Sequence, residues 1–196
     1  IAAGRTFALN KMSQKEADTL FEKHLPSTVL KDEPAEILSL QGRCQYNPLA
    51  LEISARRIAG LLDFKNPAAL FLKKIEKSLS ELRVADDANL NLFAVFDASY
   101  SELDTEDQKA FAALAAFHPS GFAPEAAAFL WEISAEEGAQ RIARFLRLSL
   151  LKAVPGNFER YRLHDLLDEY ATYKLKENKE SGLIKNRQSE WVAALF

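Results

Sequence analysis

The density of helix start signals constrains this chain more than any other feature. Ser13 followed by Glu16, and Ser134 followed by Glu137, are capping boxes, in which the hydroxyl accepts from first-turn amides and the carboxylate reaches back. Asn47-Pro48 and Asn66-Pro67 each set a capping side chain before a proline whose missing N–H costs the first turn nothing. Pro34, Asp104-x-x-Asp107 and Pro124 open further helices.

Apolar residues follow each start at helical spacing. The Ser13 helix carries Ala17, Leu20, Phe21 and Leu25 and stops before Pro26. The Pro34 helix points Ile37, Leu38, Leu40 and Cys44 inward, and the Asn47-Pro48 helix Leu49, Leu51, Ile53, Ile58 and Leu62. The Asn66-Pro67 helix runs through Leu70, Phe71, Ile75, Leu79 and Leu82. Together these form a small bundle of four helices over 13–82. Ahead of it, in 1–12, Thr6-Phe7-Ala8-Leu9 reads as a strand whose partners are expected upstream; 83–88 is polar, lacks periodicity and reads as a linker.

The second half, 89–180, continues with helices marked by Leu92, Phe93, Phe96, Tyr100 and Leu103, then by Phe111, Leu114, Ala115 and Phe117. After the turn Pro119-Ser120-Gly121 come a helix burying Phe129, Leu130 and Trp131 and another carrying Ile142, Phe145 and Leu148. The period then changes to two. Segments 149–154 and 158–163 flank Pro155-Gly156-Asn157 as a β-hairpin, and helix resumes at His164 through Leu166, Leu167, Tyr170, Ala171 and Leu175. The last three of these helices, the hairpin and the helix after it are in the order of a winged-helix domain. Ser181-Gly182 breaks the chain, and in 181–196 a further helix begins at Gln188. The expected class is mainly α: a small helical bundle followed by a winged-helix domain with one β-hairpin.

Composition narrows the function. Hydrophobic content of 48% and a formal charge of −3 exclude disorder and a global basic field for nucleic acid or anionic lipid. One cysteine, Cys44, forms no internal disulfide, which fits a reducing, cytoplasmic setting. No run approaches the ~20 apolar residues of a membrane span, and the N-terminus is unlike a signal peptide. The chain lacks an initiator methionine and reads as part of something longer. No phosphate loop, nucleophile elbow or metal-ligand spacing is present, so the chain is not expected to be an enzyme by itself.

Few residues carry chemistry. His24 and His118 close helices before prolines, where the helix dipole favours them. His164 stands where a strand hands over to a helix, beside unpaired first-turn amides that suit a phosphate. Asp165 can cap those amides or orient the imidazole, and the plainer alternative is that both residues only cap the helix. Pro48 is either an ordinary N1 proline or a rigid ring that packs on a base, with Glu52 one turn on along the same face. A DNA-reading helix over Ala135–Leu148 offers Arg141, Arg144 and Arg147, and the wing Lys152, Arg160 and Arg162. Glu136 and Glu137 at that helix start, and Glu159 on the wing, repel phosphates and disfavour nucleic acid.

Four stretches, in order, resemble the C-terminal half of an NB-ARC module, the nucleotide switch of STAND-class ATPases. Leu9-Asn10-Lys11-Met12-Ser13 with Glu16 to Phe21 is similar to that family's "L-x-x-L-S…EA..LF". Cys44 to Leu51 is similar to "C-G-x-L-P-L-A-L", with Gln45 and Asn47 in place of glycine and leucine. Ser99 to Leu103 matches "S-Y-x-x-L", and Leu163-His164-Asp165 resembles "M-H-D". The resemblance implies that 1–12 ends an upstream nucleotide-binding α/β domain, which holds ADP or ATP and Mg with Walker residues absent from this chain. It implies that Pro48 packs on the adenine and His164 contacts the β-phosphate, with Asp165 supporting; Glu52, one turn on from Pro48, is added as a second supporting residue from its place on the same face. It also implies a downstream helical-repeat sensor and homo-oligomer assembly on activation, while the composition gives no expectation of a membrane partner. The alternative readings are a winged-helix DNA-binding regulator with a helical dimerisation region, and a passive helical adaptor.

Overall fold

The computed structural model describes residues 11–82, 87–179 and 181–194. The chain divides into two compact units, Ile1–Val95 and Phe96–Phe196. Among the described residues there are eleven α-helices and a single two-stranded antiparallel sheet, the mainly α composition expected from the start signals.

The first unit holds α1 (Gln14–His24), α2 (Ser27–Asp32), α3 (Pro34–Arg43), α4 (Pro48–Ala59) and α5 (Pro67–Glu81). Helix α1 packs on α4, and α5 on α3 and α4, around the fully buried Phe21, Leu40, Leu51, Ile53, Ile58, Phe71 and Ile75. Both partners of the Ser13–Glu16 capping box engage, and Asn47 accepts from the Leu49 and Ala50 amides at 3.0 and 3.2 Å. Four expected features are corrected. Helix α2 is an addition, a six-residue piece too short to show periodicity. Leu38 and Leu62, expected inward, are exposed: the buried stripe of α3 is Ile37, Leu40 and Gln41, and α4 ends before Leu62.

The fourth correction concerns Asn66. Its backbone is left-handed (φ 55°), which asparagine tolerates, and its side chain makes no cap hydrogen bond. Glu33 replaces it. The Glu33 carboxylate, buried between α2 and α3 in the chain, accepts from the Ala68 and Ala69 amides at 3.3 and 2.9 Å. A residue from more than thirty positions upstream thus caps α5. The expected strand Thr6–Leu9 and most of the linker lie outside the described residues; the last two linker positions already belong to α6 (Asp87–Tyr100).

The unit boundary falls within α6. Beyond it come α7 (Thr105–Ala113), a 3-10 turn (Leu114–Ala116), α8 (Pro124–Trp131), α9 (Ala135–Arg147), β1 (Lys152–Val154), β2 (Asn157–Arg162), α10 (Asp165–Glu177) and α11 (Ser181–Ala193). An aromatic cluster centres on the fully buried Tyr170, whose ring stands 5.9 Å from Phe96 and 5.8 Å from Tyr100, both edge-on. Ser181-Gly182, expected as a break, instead opens α11, and the Ser181 hydroxyl donates to the Leu175 carbonyl at 3.2 Å. Phe129, expected in the core, is 41% exposed and lies against the Trp191 ring.

Helices α8 and α9 approach closely because Gly138 has no Cβ: one built there meets the Ala128 Cβ at 2.8 Å. Neither atom is the end of a flexible side chain, so Gly138→Ala is expected to lower stability by about 1–3 kcal/mol. Ala128→Gly in the same chain should recover part of it, both read by urea unfolding.

Candidate functional site

Strand β2 delivers the buried Leu163 to the core and turns at His164, whose extended backbone (φ −73°, ψ 148°) makes it the N-cap of α10. Its Nδ1 accepts from the Leu166 amide at 3.4 Å. Capping therefore falls to His164, while Asp165 is the first helical residue, exposed, and acts on the ring through charge. A neutral imidazole that accepts at Nδ1 carries its proton on Nε2, which leaves one N–H donor. Burial, and then the nearby Lys152 and Arg162, hold the His164 pKa below the ordinary histidine value against the pull of Asp165. The folded chain thus keeps the ring neutral.

The hairpin register explains the basic surroundings. Lys152 and Arg162 are directly paired across β1 and β2, and like charges opposite one another repel. The start of α10 has the opposite sign: Asp165, Asp168 and Glu169, together with Arg162, line a cavity of about 360 Å3 over Phe117 and Phe122. Burial, with Asp165 and Glu169, raises the Asp168 pKa. Sequence reading already set Arg162 two residues before His164, where the hairpin runs into the helix; Lys152 was placed on the wing, and its connection to His164 needs the strand register.

Pro48 is the first residue of α4 and its ring is part-exposed. It follows two left-handed residues, Gln45 (φ 51°) and Tyr46 (φ 55°), and the Tyr46 carbonyl accepts from the Met12 amide at 2.8 Å. Gln45 stands where the resembling segment has glycine, the residue that adopts positive φ at least cost. Glu52 accepts from Arg56 at 3.2 Å along its own helix, and the two line a groove of about 800 Å3 with Met12, Thr19, Leu20 and His24. The structure therefore places Pro48 with Glu52 on α4 in the first unit, and His164 with Asp165 in the second.

Two of the three α9 arginines, Arg141 and Arg144, are engaged internally. Arg141 Nε donates to Asp107 at 2.8 Å, and Arg144 donates to the other oxygen of the same buried carboxylate. The Arg141 guanidinium lies 5.4 Å over the Trp131 ring, whose indole donates to the Ala110 carbonyl at 2.9 Å. The Ser134–Glu137 box closes the start of α9, and on the hairpin Arg160 donates to the Gly121 carbonyl. Asp107 was read only as a helix-start residue; its partners lie 34 and 37 positions away, beyond local pattern. Cys44 is buried beside Ser54 and its thiol is pushed up to about 12, which leaves it unreactive. Among the described residues no helix is long and apolar enough to cross a membrane.

No protein-family model matches the chain. It is 29% identical over 197 residues to Regulatory protein AfsR of Streptomyces coelicolor, an alignment covering 100% of this chain and 19% of that protein. Regulatory protein AfsR of Streptomyces griseus is 28% identical over 173 residues, 87% of this chain and 17% of that protein. The chain spans about a fifth of the length of the curated relatives it matches. Both relatives are regulatory proteins, and this chain resembles a segment of them.

Two outcomes follow from the geometry. Asp107→Asn removes the charge shared by Arg141 and Arg144 and should cost about 2 kcal/mol, since hydrogen bonds to charged groups contribute ~1.5–3; the shift in urea midpoint measures it. His164 is protonated more readily unfolded than folded, so its contribution is complete above pH 6.5 and is lost as pH falls through its lower folded pKa. His164→Asn caps without titrating, and melting curves from pH 7 to 4.5 should show a shallower acid slope for it.

Proposed function

We propose that this chain is the regulatory half of a STAND-type nucleotide switch, closing over ADP or ATP held by a nucleotide-binding domain. In this reading, α1 to α5 are the helical subdomain and α6 to α10 a winged helix. The observation that carries it is the His164 junction: a neutral imidazole with its single donor at Nε2, at a helix N-terminus, beside the like-charged pair Lys152 and Arg162. Those groups suit a phosphate. The order of the four resembling segments and the regulatory relatives support the same reading.

The chain's own residues would act in two ways. Pro48, fixed at a helix start by the Asn47 cap, offers a rigid apolar face to a base. His164 donates from Nε2 to a phosphate oxygen, with Lys152 and Arg162 adding charge. Asp165 limits the gain by its opposite sign, and Glu52 is held back by Arg56. The bound nucleotide supplies the phosphate charge that distinguishes the two states. A contact present only in the closed state biases the equilibrium by its differential free energy, typically ~1–3 kcal/mol. Its loss frees the second unit for homo-oligomer assembly.

A DNA-binding regulator draws on α9 and the hairpin, but Arg141, Arg144 and Arg160 are already engaged within the chain. Salt-dependent binding of duplex DNA by this chain would favour that reading instead.

The deciding experiment is ADP release from the protein in which this chain follows its nucleotide-binding domain. His164→Ala should speed release of a fluorescent ADP analogue by roughly tenfold, the equivalent of one hydrogen bond of about 1.4 kcal/mol. An unchanged release rate would sink the phosphate-contact reading.

A further inference from the structure

Tyr100, part of the S-Y-x-x-L segment, has no role in the nucleotide contact, yet its surroundings reach α10. One oxygen of Asp97, Oδ1, accepts from the Tyr170 hydroxyl at 2.7 Å and from Lys174 Nζ at 2.8 Å. The Lys174 ammonium stands 5.3, 5.7 and 5.5 Å from the Tyr100, Tyr170 and Tyr173 ring centres, and 3.1 Å from Glu177. Three aromatic faces and two carboxylates replace its water. Burial works to lower the Lys174 pKa, but the hydrogen bond and charge of Asp97, with Glu177, outweigh it, so the ammonium stays charged.

We propose that Asp97 is the positioning residue for His164: by gripping Tyr170 and Lys174, one turn apart on α10, it fixes the axial register of the helix that His164 caps. Apart from Tyr170, the buried face of α10 is Leu167, Ala171 and Leu175, which pack without direction, and a slide of one turn (about 5.4 Å) exchanges one such apolar contact for another. The same slide strands a buried carboxylate and an ammonium, each costly without its partner. Helix α10 contains neither proline nor glycine, so a displacement at Lys174 reaches His164 undiminished. The consequence for phosphate sensing rests on the proposed function; the positioning itself does not.

The test compares wild-type chain with Asp97→Asn/Lys174→Met, in which asparagine still accepts from Tyr170 and methionine fills the space between the rings. NMR titration of the His164 imidazole should move up toward the ordinary histidine value. Exchange of the Leu166 amide, which His164 caps, should quicken at least tenfold. Lys174→Arg alone, which keeps a cation for Asp97, should leave both readouts near wild type. A folded double variant with unchanged His164 titration and Leu166 exchange overturns the proposal. Should the double variant not fold, Tyr170→Phe removes a single hydrogen bond and should shift both readouts less, in the same direction; no shift overturns the proposal equally. In the nucleotide-holding protein, the double variant should speed ADP release several-fold with His164 present and add nothing to His164→Ala. If His164→Ala itself leaves release unchanged, the nucleotide reading fails, while the imidazole titration still decides the positioning.

Discussion

A protein made almost wholly of short helices has its main polar problem at their ends. Each helix leaves four amides and four carbonyls without partners inside it, and the shorter the helix, the larger that fraction. Here the solutions range from local to remote. Ser13 and Ser134 close their own helices through capping boxes, and Asn47 and Asp104 cap with single side chains. His164 caps with a ring nitrogen, and Glu33 caps a helix it does not belong to. The candidate site is one of these solutions: a capping residue of unusual chemistry, with one ring nitrogen used by the fold and the other left over.

The second unit repeats one electrostatic device. A buried carboxylate on one helix grips two side chains about a turn apart on another. Asp107 of α7 takes Arg141 and Arg144 of α9, and Asp97 of α6 takes Tyr170 and Lys174 of α10. Buried charge is a weak source of net stability, but it penalises every register except one. Apolar packing through Phe111, Phe145 and Tyr170 supplies the bulk of the burial, and the two clasps choose among its near-equivalent arrangements.

Local chemistry was legible in the sequence, and distant pairing was not. Capping boxes, prolines at helix starts and the change of period at the hairpin place most elements, because each depends on residues within four or five positions. For Leu38 and Phe129 a helical stripe alone does not say how wide a face its neighbours cover, and Leu62 lies past the end of α4. His164 was legible as a residue of interest through its strand-to-helix position. Its neighbour Arg162 was legible beside it in the chain, but Lys152 became visible only with the strand register, and the carboxylate partners of α9 and α10 only with the tertiary fold.

The remote cap on α5 bears on the order in which the first unit assembles. Fifteen residues from Pro67 make a helix near the length at which an isolated segment is marginal in water, and this one starts from a left-handed asparagine that offers no cap. Its first turn is completed by Glu33, at the entry to α3. A peptide of α5 alone thus lacks the part that closes its N-terminus, and nucleation there is coupled to the α2–α3 turn. The Glu33 side chain thus ties the start of α5 to the α2–α3 turn, and fraying of the α5 N-terminus leaves a buried carboxylate without its amide partners.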